Sequence, residues 1–254
     1  MGASDMKVVG VIPARWASTR LPGKPLRPIL GRPLIHWVIE RARLASNLGD
    51  VIVACDDQRI AAAAEEIGCA AVMTRADHPS GTDRVAEAVR ALDADVVVNI
   101  QGDEPMVDPT LVDALAAALR DDAGGWDMVT AAAPIAARED LLNHNIVKVV
   151  CAADGAALYF SRSPIPHVRE QEDWERSAHW RHIGLYGYRR EFLERLVAAP
   201  PCMLERAEKL EQLRALYIGA RIRVIETGDV GVGVDTPDDV EKVEVLLKNI
   251  GEHM

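Results

Sequence analysis

The sequence predicts an α/β protein whose central sheet is mostly parallel and flanked by helices, with an inserted antiparallel region. In the first half, short β-branched runs alternate with segments of helical periodicity, which is typical of βαβ crossovers. In the middle, two apolar runs flank Ala152-Ala153-Asp154-Gly155, a turn sequence that favours a hairpin. No linker separates two independent domains, so we expect one domain over residues 1–254.

The individual elements follow from the same periodicities. Strands are predicted over 7–12, 51–55, 70–74, 95–100, 146–151, 156–161, 181–189 and 221–226. Helices are predicted over 33–45, 58–67, 82–92, 205–217 and 237–248. The last helix begins with a capping box formed by Thr236 and Asp239, and Pro237 occupies its first turn. The stretch 163–177 is rich in Pro and charge and is predicted to be a loop.

The composition is that of an ordinary globular protein, with 49% hydrophobic and 27% charged residues. The formal net charge of −10 argues against nucleic acid as the main partner, since phosphate backbones attract a surplus of Lys and Arg. Cys55, Cys69, Cys151 and Cys202 form no CxxC pair, and we expect buried free thiols in a reducing compartment. The short polar start and the lack of a long apolar run predict no secretory signal, no membrane contact and a cytoplasmic location.

The loop after the first strand carries three cations. Arg15, Arg20 and Lys24 lie among small residues and Gly23, which allow the backbone to approach a ligand closely. These side chains could hold a triphosphate, Arg by bidentate hydrogen bonds and Lys as a point charge. The alternative is a solvated basic loop. The segment contains neither a GxxxxGK[ST] phosphate loop nor a GxGxxG fingerprint.

Two later loops carry groups that suit phosphates or metal ions. Ser80 or Thr82 could cap the helix that follows, and free N–H groups there could equally bind an acceptor, so both interpretations stay open. Asp103 follows a strand beside a glycine and suits Mg²⁺, although a turn aspartate is the default for such a pair. Asp235 stands at another strand-to-helix junction, where it could provide a second metal contact.

Polar and aromatic residues recur on the later elements. His182, Gly184, Tyr186 and Tyr188 are predicted to share one face of a strand, although an isolated His is more often structural than a ligand. Glu208 and Glu211 are predicted to share a helix face, where they could bind a ligand or be merely solvated.

Together these segments resemble the CMP-Kdo synthetase family, where Kdo is 3-deoxy-manno-octulosonate. The resemblance covers the chain from end to end, and its long N-terminal motif is highly specific, whereas VKVV alone is not. The segments are IPARWASTRLPGKPL (12–26), TRADHPSGTDR (74–84), NIQGDEPM (99–106), VKVV (147–150), YFSRSPIP (159–166), RHIGLYGYR (181–189), LEQLRALY (210–217) and GVDTPDD (233–239).

The resemblance implies a fold like that of nucleotide-diphospho-sugar transferases and a homodimer. It implies a nucleotide-binding part over about 7–133 plus 222–248, and a sugar-binding and dimerisation part over about 134–221. The implied activity is Mg²⁺-dependent transfer of CMP from CTP to the anomeric hydroxyl of Kdo, giving pyrophosphate and CMP-Kdo for lipopolysaccharide biosynthesis. The alternatives are transfer to another sugar acid, such as an amino analogue of Kdo, a non-catalytic nucleotide-binding regulator and a purely structural interaction protein.

The resemblance also assigns site residues. The CTP phosphates are assigned to the N-terminal loop, the cytidine to the helix start after residue 74, and the sugar acid to the later segments. The nucleotide-binding residues are Ala14, Arg15, Arg20, Lys24, Arg75, Ser80 and Gly81, and the sugar-binding residues are Gln101, Arg162, His182, Tyr186, Glu211 and Gln212. Asp103 and Asp235 match the metal ligands and, with Arg15 and Lys24, form the predicted catalytic set.

Overall fold

Strands and helices alternate along most of the chain in a computed structural model that describes residues 6–17, 21–121, 125–170, 179–228 and 231–251. The strands are β1 Val8–Ala14, β2 Pro28–Ile29, β3 Arg32–Pro33, β4 Asp50–Cys55, β5 Ala70–Met73, β6 Val96–Asn99, β7 Met128–Pro134, β8 Lys148–Cys151, β9 Ala157–Ser161, β10 Trp180–Arg189 and β11 Ile222–Glu226. The helices are α1 Leu34–Ala42, α2 Gln58–Glu66, α3 Gly81–Ala88, α4 Pro109–Arg120, α5 Arg138–Leu142, α6 Arg190–Ala198, α7 Met203–Glu208, α8 Gln212–Tyr217 and α9 Pro237–Gly251.

The main sheet has the strand order β11-β7-β10-β6-β1-β4-β5. β1 pairs in parallel with β4 and β6, β4 with β5, and β7 with β11. β10 runs antiparallel to both of its neighbours, β6 and β7. The predicted mostly parallel sheet is therefore confirmed. β10 comes from the stretch 134–221, predicted to bind the sugar, yet it runs through the middle of the sheet.

The predicted antiparallel insertion is the hairpin of β8 and β9, which joins the sheet through β10. Gly155 makes its turn with a φ of +81°, a conformation that favours glycine, and Asp154 Oδ1 accepts the N–H of Ala156 at 3.0 Å. The Asp-Gly turn signal thus identified the hairpin correctly.

Both faces of the sheet are covered by helices. Val8 and Ile12 of β1 belong to one hydrophobic cluster, which includes residues of α1, α2 and α4. Val9 and Val11 belong to the other, which includes residues of α3, α6 and α8. Because both faces are buried, the strands read as nearly continuous apolar runs. β1 lies between β4 and β6, so its carboxyl end opens at the middle of the sheet edge, where α/β proteins bind ligands.

The prediction of one helix over 205–217 is wrong. The structure has two short helices, α7 and α8, and Lys209 ends the first in a left-handed conformation with φ +55° and ψ +47°. The Lys209 N–H still reaches Glu205 O at 2.7 Å, so the stop is a regular helix end. Hydrophobic periodicity does not reveal such a stop. The usual sequence signal is a glycine, and here the position is occupied by Lys209. Glu208 is consequently the last residue of α7 and Glu211 stands just before α8, so the two do not share the predicted helix face.

Two further predictions, the capping box of α9 and the four buried free cysteines, can be compared with the structure. Thr236 Oγ1 donates to Asp239 Oδ2 at 2.8 Å at the start of α9, which confirms the capping box. All four cysteines are free thiols, and only Cys151 differs from the prediction because it is half-buried. Within the described ranges, no helix has the length and apolar character that crossing a bilayer requires.

Two glycines of β10 provide a matched test of core packing. A Cβ at Gly187 would lie 2.7 Å from Val129 Cγ1 and 3.2 Å from Leu119 Cδ1, whereas a Cβ at Gly184 would meet nothing within 4 Å. Because Val129 is stiff and buried, we expect Gly187→Ala to lower the free energy of unfolding by about 1–3 kcal/mol. Gly184→Ala should change it by less than about 0.5 kcal/mol in the same urea titration. Equal losses in both variants would contradict this packing.

Candidate active site

A cleft of about 340 Å³ opens at the carboxyl ends of β1 and β6. It brings together residues from four segments that are distant in the sequence. Of the predicted site residues, it is lined by Ala14, Arg15, Lys24, Ser80, Gly81, Gln101, Asp103 and Asp235. This cleft, called the nucleotide cleft below, therefore joins most of the predicted phosphate, cytidine and metal residues.

Close backbone contacts bring the two predicted metal ligands together. Gly102 approaches β1 so closely that a Cβ there would lie 2.6 Å from Pro13 O, so only glycine fits this position. The Val234 N–H donates to Asp103 O at 2.8 Å and holds the loop before α9 against the loop after β6. Asp103 and Asp235 therefore face the same cleft although they are 132 positions apart in the sequence.

Among the described residues, Lys24 links these two carboxylates. Lys24 Nζ donates to Asp103 Oδ2 at 2.5 Å and to Asp235 Oδ1 at 3.1 Å. The position between the two carboxylates thus suits positive charge. Two hard carboxylate oxygens beside a phosphate cleft are also a donor set that Mg²⁺ uses, since it takes one or two carboxylates and leaves the other positions to phosphate and water. The residues present fit this ion.

The cationic loop is anchored through Trp16. Its backbone N–H donates to Asp56 Oδ1 at 2.8 Å, and its backbone oxygen accepts the Gly23 N–H at 3.2 Å. The Arg59 guanidinium lies 3.3 Å from the centre of the Trp16 ring, and the α-carbon side of Gly23 packs against that ring. Arg15 is therefore attached to a fixed backbone. A merely solvated basic loop, which is the alternative interpretation, would not need this anchoring.

A buried ion pair joins this loop to the start of α3. Arg84 Nη2 donates to Asp56 Oδ2 at 2.9 Å, and the two side chains are only 4% and 6% exposed. Arg84 Nη1 also donates to the Thr74 hydroxyl at 2.5 Å. Because Arg84 also lines the nucleotide cleft, this pair sets the distance between the cationic loop and the α3 N-terminus.

Ser80 has both of the roles that the sequence left open. It caps α3, because its hydroxyl accepts the Asp83 N–H at 3.2 Å and donates to Asp83 Oδ2 at 2.7 Å. It also lines the nucleotide cleft together with Gly81.

A second cavity of about 380 Å³ adjoins the nucleotide cleft, and Gln101 lines both. Of the predicted sugar-binding residues, Gln101, His182, Tyr186 and Gln212 line it. Gln101 Nε2 donates to Gly184 O at 2.9 Å and so ties the loop after β6 to β10. Glu211 lines a smaller cavity of about 130 Å³ between α3 and α8, which shares Gln101, Tyr186 and Gln212 with the second cavity.

A bulge in β10 shapes this wall. Ile183 pairs with Ala131 but Tyr186 pairs with Thr130, so two extra residues are accommodated between them. An even number of extra residues preserves the alternation of faces. The ring centres of His182 and Tyr186 are 5.3 Å apart, and those of Tyr186 and Tyr188 are 5.9 Å apart, which confirms the predicted shared face.

Burial shifts the pKa values of several titratable groups in and beside this wall. Burial lowers the pKa of His182 to about 3, so its imidazole is uncharged near neutral pH. Burial, with Glu211 adding to it, raises the pKa of Tyr186. Burial also raises the pKa of Glu211, and hydrogen bonds with Thr82 and Ser80 oppose that shift. The uncharged His182 and Tyr186 side chains suit hydroxyl-rich ligands, to which they donate and from which they accept hydrogen bonds.

Two of the described residues that were predicted for the site, Arg75 and Arg162, do not line these cavities. Arg75 is exposed and donates to Glu87 through its backbone N–H at 3.2 Å. Arg162 donates through Nε to Glu208 O at 2.7 Å and through Nη1 to His144 O at 3.0 Å. Arg20 lies outside the described residues. Their ligand-binding roles remain predictions.

Other lining residues escaped the sequence analysis. His78 and Arg84 line the nucleotide cleft, and both stand within the TRADHPSGTDR segment that carried the resemblance. Asn145, Ile146 and Val147 line the second cavity. The only available signal for these three was that they directly precede or begin the VKVV segment.

The low pKa of His182 gives a test by pH. An unfolded His has a pKa of about 6.5, so the unfolded chain binds a proton that the folded chain excludes between about pH 6.5 and 3. This contribution to stability is present above pH 6.5 and is lost as the pH falls. We expect His182→Gln to lose less unfolding free energy than wild type between pH 7 and 4, measured by urea titration. The exposed His144→Gln variant should follow wild type; parallel profiles for His182→Gln and wild type would contradict the assignment.

Comparison with known proteins agrees with this geometry. Residues 9–222 match a family model described as cytidylyltransferase. A 3-deoxy-manno-octulosonate cytidylyltransferase from Bdellovibrio bacteriovorus is 51% identical over 248 residues, covering 97% of this chain and 100% of the relative. One from Geotalea daltonii is 47% identical over 254 residues, covering 97% of this chain and 100% of the relative.

Solved structures give the same result. The structure described as CMP:2-keto-3-deoxy-manno-octonic acid synthetase complexed with CTP has a TM-score of 0.91 and 44% identity, covering 96% of this chain and 99% of that one. A 4-diphosphocytidyl-2C-methyl-D-erythritol synthase from Anaerococcus prevotii has a TM-score of 0.64 at 13% identity, covering 96% of this chain and 99% of that one, and shares the fold alone. The chain belongs to the cytidylyltransferase family and, within it, to the 3-deoxy-manno-octulosonate cytidylyltransferases, or CMP-Kdo synthetases.

Proposed function

We propose that this protein transfers CMP from CTP to the anomeric hydroxyl of Kdo and releases pyrophosphate. The observation that carries the proposal is the meeting of two cavities at Gln101. One cavity has cations and paired carboxylates, which suit a triphosphate. The other has hydrogen-bonding side chains, including Gln101, His182 and Tyr186, together with the cation Arg181, and these suit a sugar acid. A structure of a relative at 44% identity is described as a complex with CTP, and this supports the choice of nucleotide.

The proposed reaction is an in-line displacement. The Kdo hydroxyl oxygen attacks the α-phosphorus of CTP, and the bond from that phosphorus to the oxygen bridging the β-phosphate breaks. Pyrophosphate leaves, and the hydroxyl proton passes to solvent. Such transfers depend on positioning and charge neutralisation more than on covalent catalysis. Two cavities that share one wall residue meet the positioning requirement, because each holds one reactant at the boundary.

Different residues of the two cavities bind the pyrophosphate, cytidine and sugar parts of the substrates. Arg15 and Lys24, both on the anchored loop, place positive charge where the departing pyrophosphate gains negative charge. Ser80 and Gly81, at the start of α3, bind the cytidine side of CTP. Gln101, His182 and Tyr186 hold the hydroxyl groups of the sugar acid. Arg181 lines the same cavity and supplies a positive charge for the sugar's own carboxylate.

The proposed reaction depends on Mg²⁺. Asp103 and Asp235, which share the Lys24 ammonium here, would hold it. When bound, it would neutralise phosphate charge and make the attacking hydroxyl more acidic.

We also propose that the protein is a cytoplasmic homodimer. Leu142, Leu158 and Met203 are large apolar side chains that are 61%, 60% and 78% exposed, and all lie within the predicted dimerisation part. The four free thiols support a reducing compartment. Sedimentation velocity distinguishes the dimer from a monomer.

The first test is pyrophosphate release by the purified protein. Release should require CTP, Kdo and Mg²⁺ together, and should stop when EDTA is added or Kdo is omitted. Release with an amino analogue of Kdo in preference to Kdo would move the assignment to that sugar acid. CTP binding by calorimetry without release from folded protein would favour a non-catalytic nucleotide-binding protein and refute the proposed transfer.

The metal role has its own variant. Asp103→Asn removes one charge of the carboxylate pair while keeping the side-chain shape, so we expect turnover to fall by about 100-fold or more. Circular dichroism should remain that of wild type. Asp121→Asn, at the exposed end of α4, serves as a matched control and should retain turnover. Near-normal turnover in Asp103→Asn would exclude the metal role.

A further inference from the structure

Lys148 is the first residue of β8 and is fully buried beside the second cavity. Its ammonium donates to three backbone oxygens: Asn143 O at 3.1 Å, Ile146 O at 2.7 Å and Arg162 O at 2.5 Å. An ammonium has three N–H groups, and each of them is used here. Lys148 therefore connects the 143–147 segment, which precedes β8, to the end of β9.

A buried ammonium is costly unless hydrogen bonds compensate for its lost hydration. Burial lowers the pKa of Lys148, the charge of Arg162 acts in the same direction, and Glu208 opposes them. The three carbonyl oxygens compensate for part of the lost hydration. In return, each of these carbonyl oxygens gains a charged hydrogen-bond donor. The side chain and the segment it contacts therefore stabilise each other.

The 143–147 segment has the form of a tight turn. The Ile146 N–H donates to Asn143 O at 3.1 Å, and the Asn145 N–H donates to Asn143 Oδ1 at 2.9 Å. The His182 N–H donates to Val147 O at 2.8 Å, which joins the turn to β10. Asn145, Ile146 and Val147 line the second cavity, whereas none of the turn lines the nucleotide cleft.

Arg162 holds the same turn from its exposed side. Its guanidinium donates to His144 O and to Glu208 O, and its own backbone oxygen accepts from Lys148. The turn is thus attached to the body of the protein by two cations that contact only its backbone oxygens. Side chains of the turn remain available to the cavity.

We infer that Lys148 is a positioning residue that holds the 143–147 turn, one wall of the second cavity, in its sugar-binding shape before substrate arrives. The inference rests on the proposed function, in which this cavity takes the sugar acid. Lys148 contacts no substrate itself, and its effect passes through the carbonyl oxygens of the turn. Its loss should therefore affect the sugar acid and not the nucleotide.

The kinetic test is Lys148→Met, which keeps an apolar stem of similar length and removes the ammonium. We expect the KM for Kdo to rise about 10-fold or more, since small displacements of binding groups are costly. The KM for CTP should stay within about twofold, because the turn does not line the nucleotide cleft. The exposed Lys248→Met serves as the matched control and should leave both values unchanged. Unchanged or parallel KM values in folded Lys148→Met would overturn the inference.

A second measurement begins with wild type alone. In ligand-free wild type, hydrogen–deuterium exchange in peptides covering 143–150 should show the turn amides protected, as the turn is ordered in advance. In Lys148→Met, those amides should exchange faster while the amides of β1 do not. Exchange of the wild-type turn at the rate of unprotected peptide would refute the inference even if the variant fails to fold.

The two proposals fail in different ways. If wild type shows no turnover with CTP and Kdo, the proposed function fails, and exchange still reports whether Lys148 orders the turn. If wild type turns over normally but neither the KM for Kdo nor the exchange of the turn depends on Lys148, only the positioning role fails.

Discussion

The buried pair of Asp56 and Arg84 is the contact on which the geometry of the nucleotide cleft depends. Asp56 follows β4. One of its carboxylate oxygens accepts the Trp16 N–H of the cationic loop, and the other accepts from Arg84 in the first half of α3. Arg84 also contacts Thr74 after β5. The carboxyl ends of three strands are thus fixed to one another by two charged side chains. Such a pair tolerates the loss of neither partner, because the other would remain as a buried unpaired charge.

The antiparallel β10 explains why the two cavities adjoin. In β10, Tyr186 pairs with Asn99, the last residue of β6. Because β10 runs in the opposite direction, the residues before Tyr186 extend past the carboxyl end of β6. They therefore meet the loop that carries Gln101 and Asp103. A parallel strand in this position would have carried the same residues to the opposite edge of the sheet, away from the nucleotide cleft.

The elements that could be predicted are those whose signals are local. Runs of β-branched residues, the Asp-Gly turn and the capping box each identified an element within a few residues of its observed bounds. The sequence pattern predicted none of β2, β3, β7, α4, α5 and α6. The helix stop at Lys209 escaped because it uses a residue that rarely adopts a left-handed conformation.

The residues of the candidate site also divide into those with a local sequence signal and those without one. Residues on loops with a specific motif, such as Lys24 and Asp103, meet in one cleft as the sequence indicated. Contacts made between distant segments could not be predicted. The partners of Arg84 and Arg162, for example, are set by how strands and helices pack and not by spacing along the chain. Arg162 matched a sugar-binding position in the family pattern, and its contacts here are backbone oxygens.

The place of β10 in the sheet also bears on how the chain is synthesised and folds. β6 and β7 are separated in space by a strand that follows both of them along the chain. Until residues 180–189 leave the ribosome, each of these strands has an open edge with unpaired N–H and C=O groups. Exposed strand edges pair readily with other chains, and long-range pairing slows folding. The nascent chain therefore passes through a stage in which its core strands are exposed to misassociation, and in which chaperones have a surface to bind.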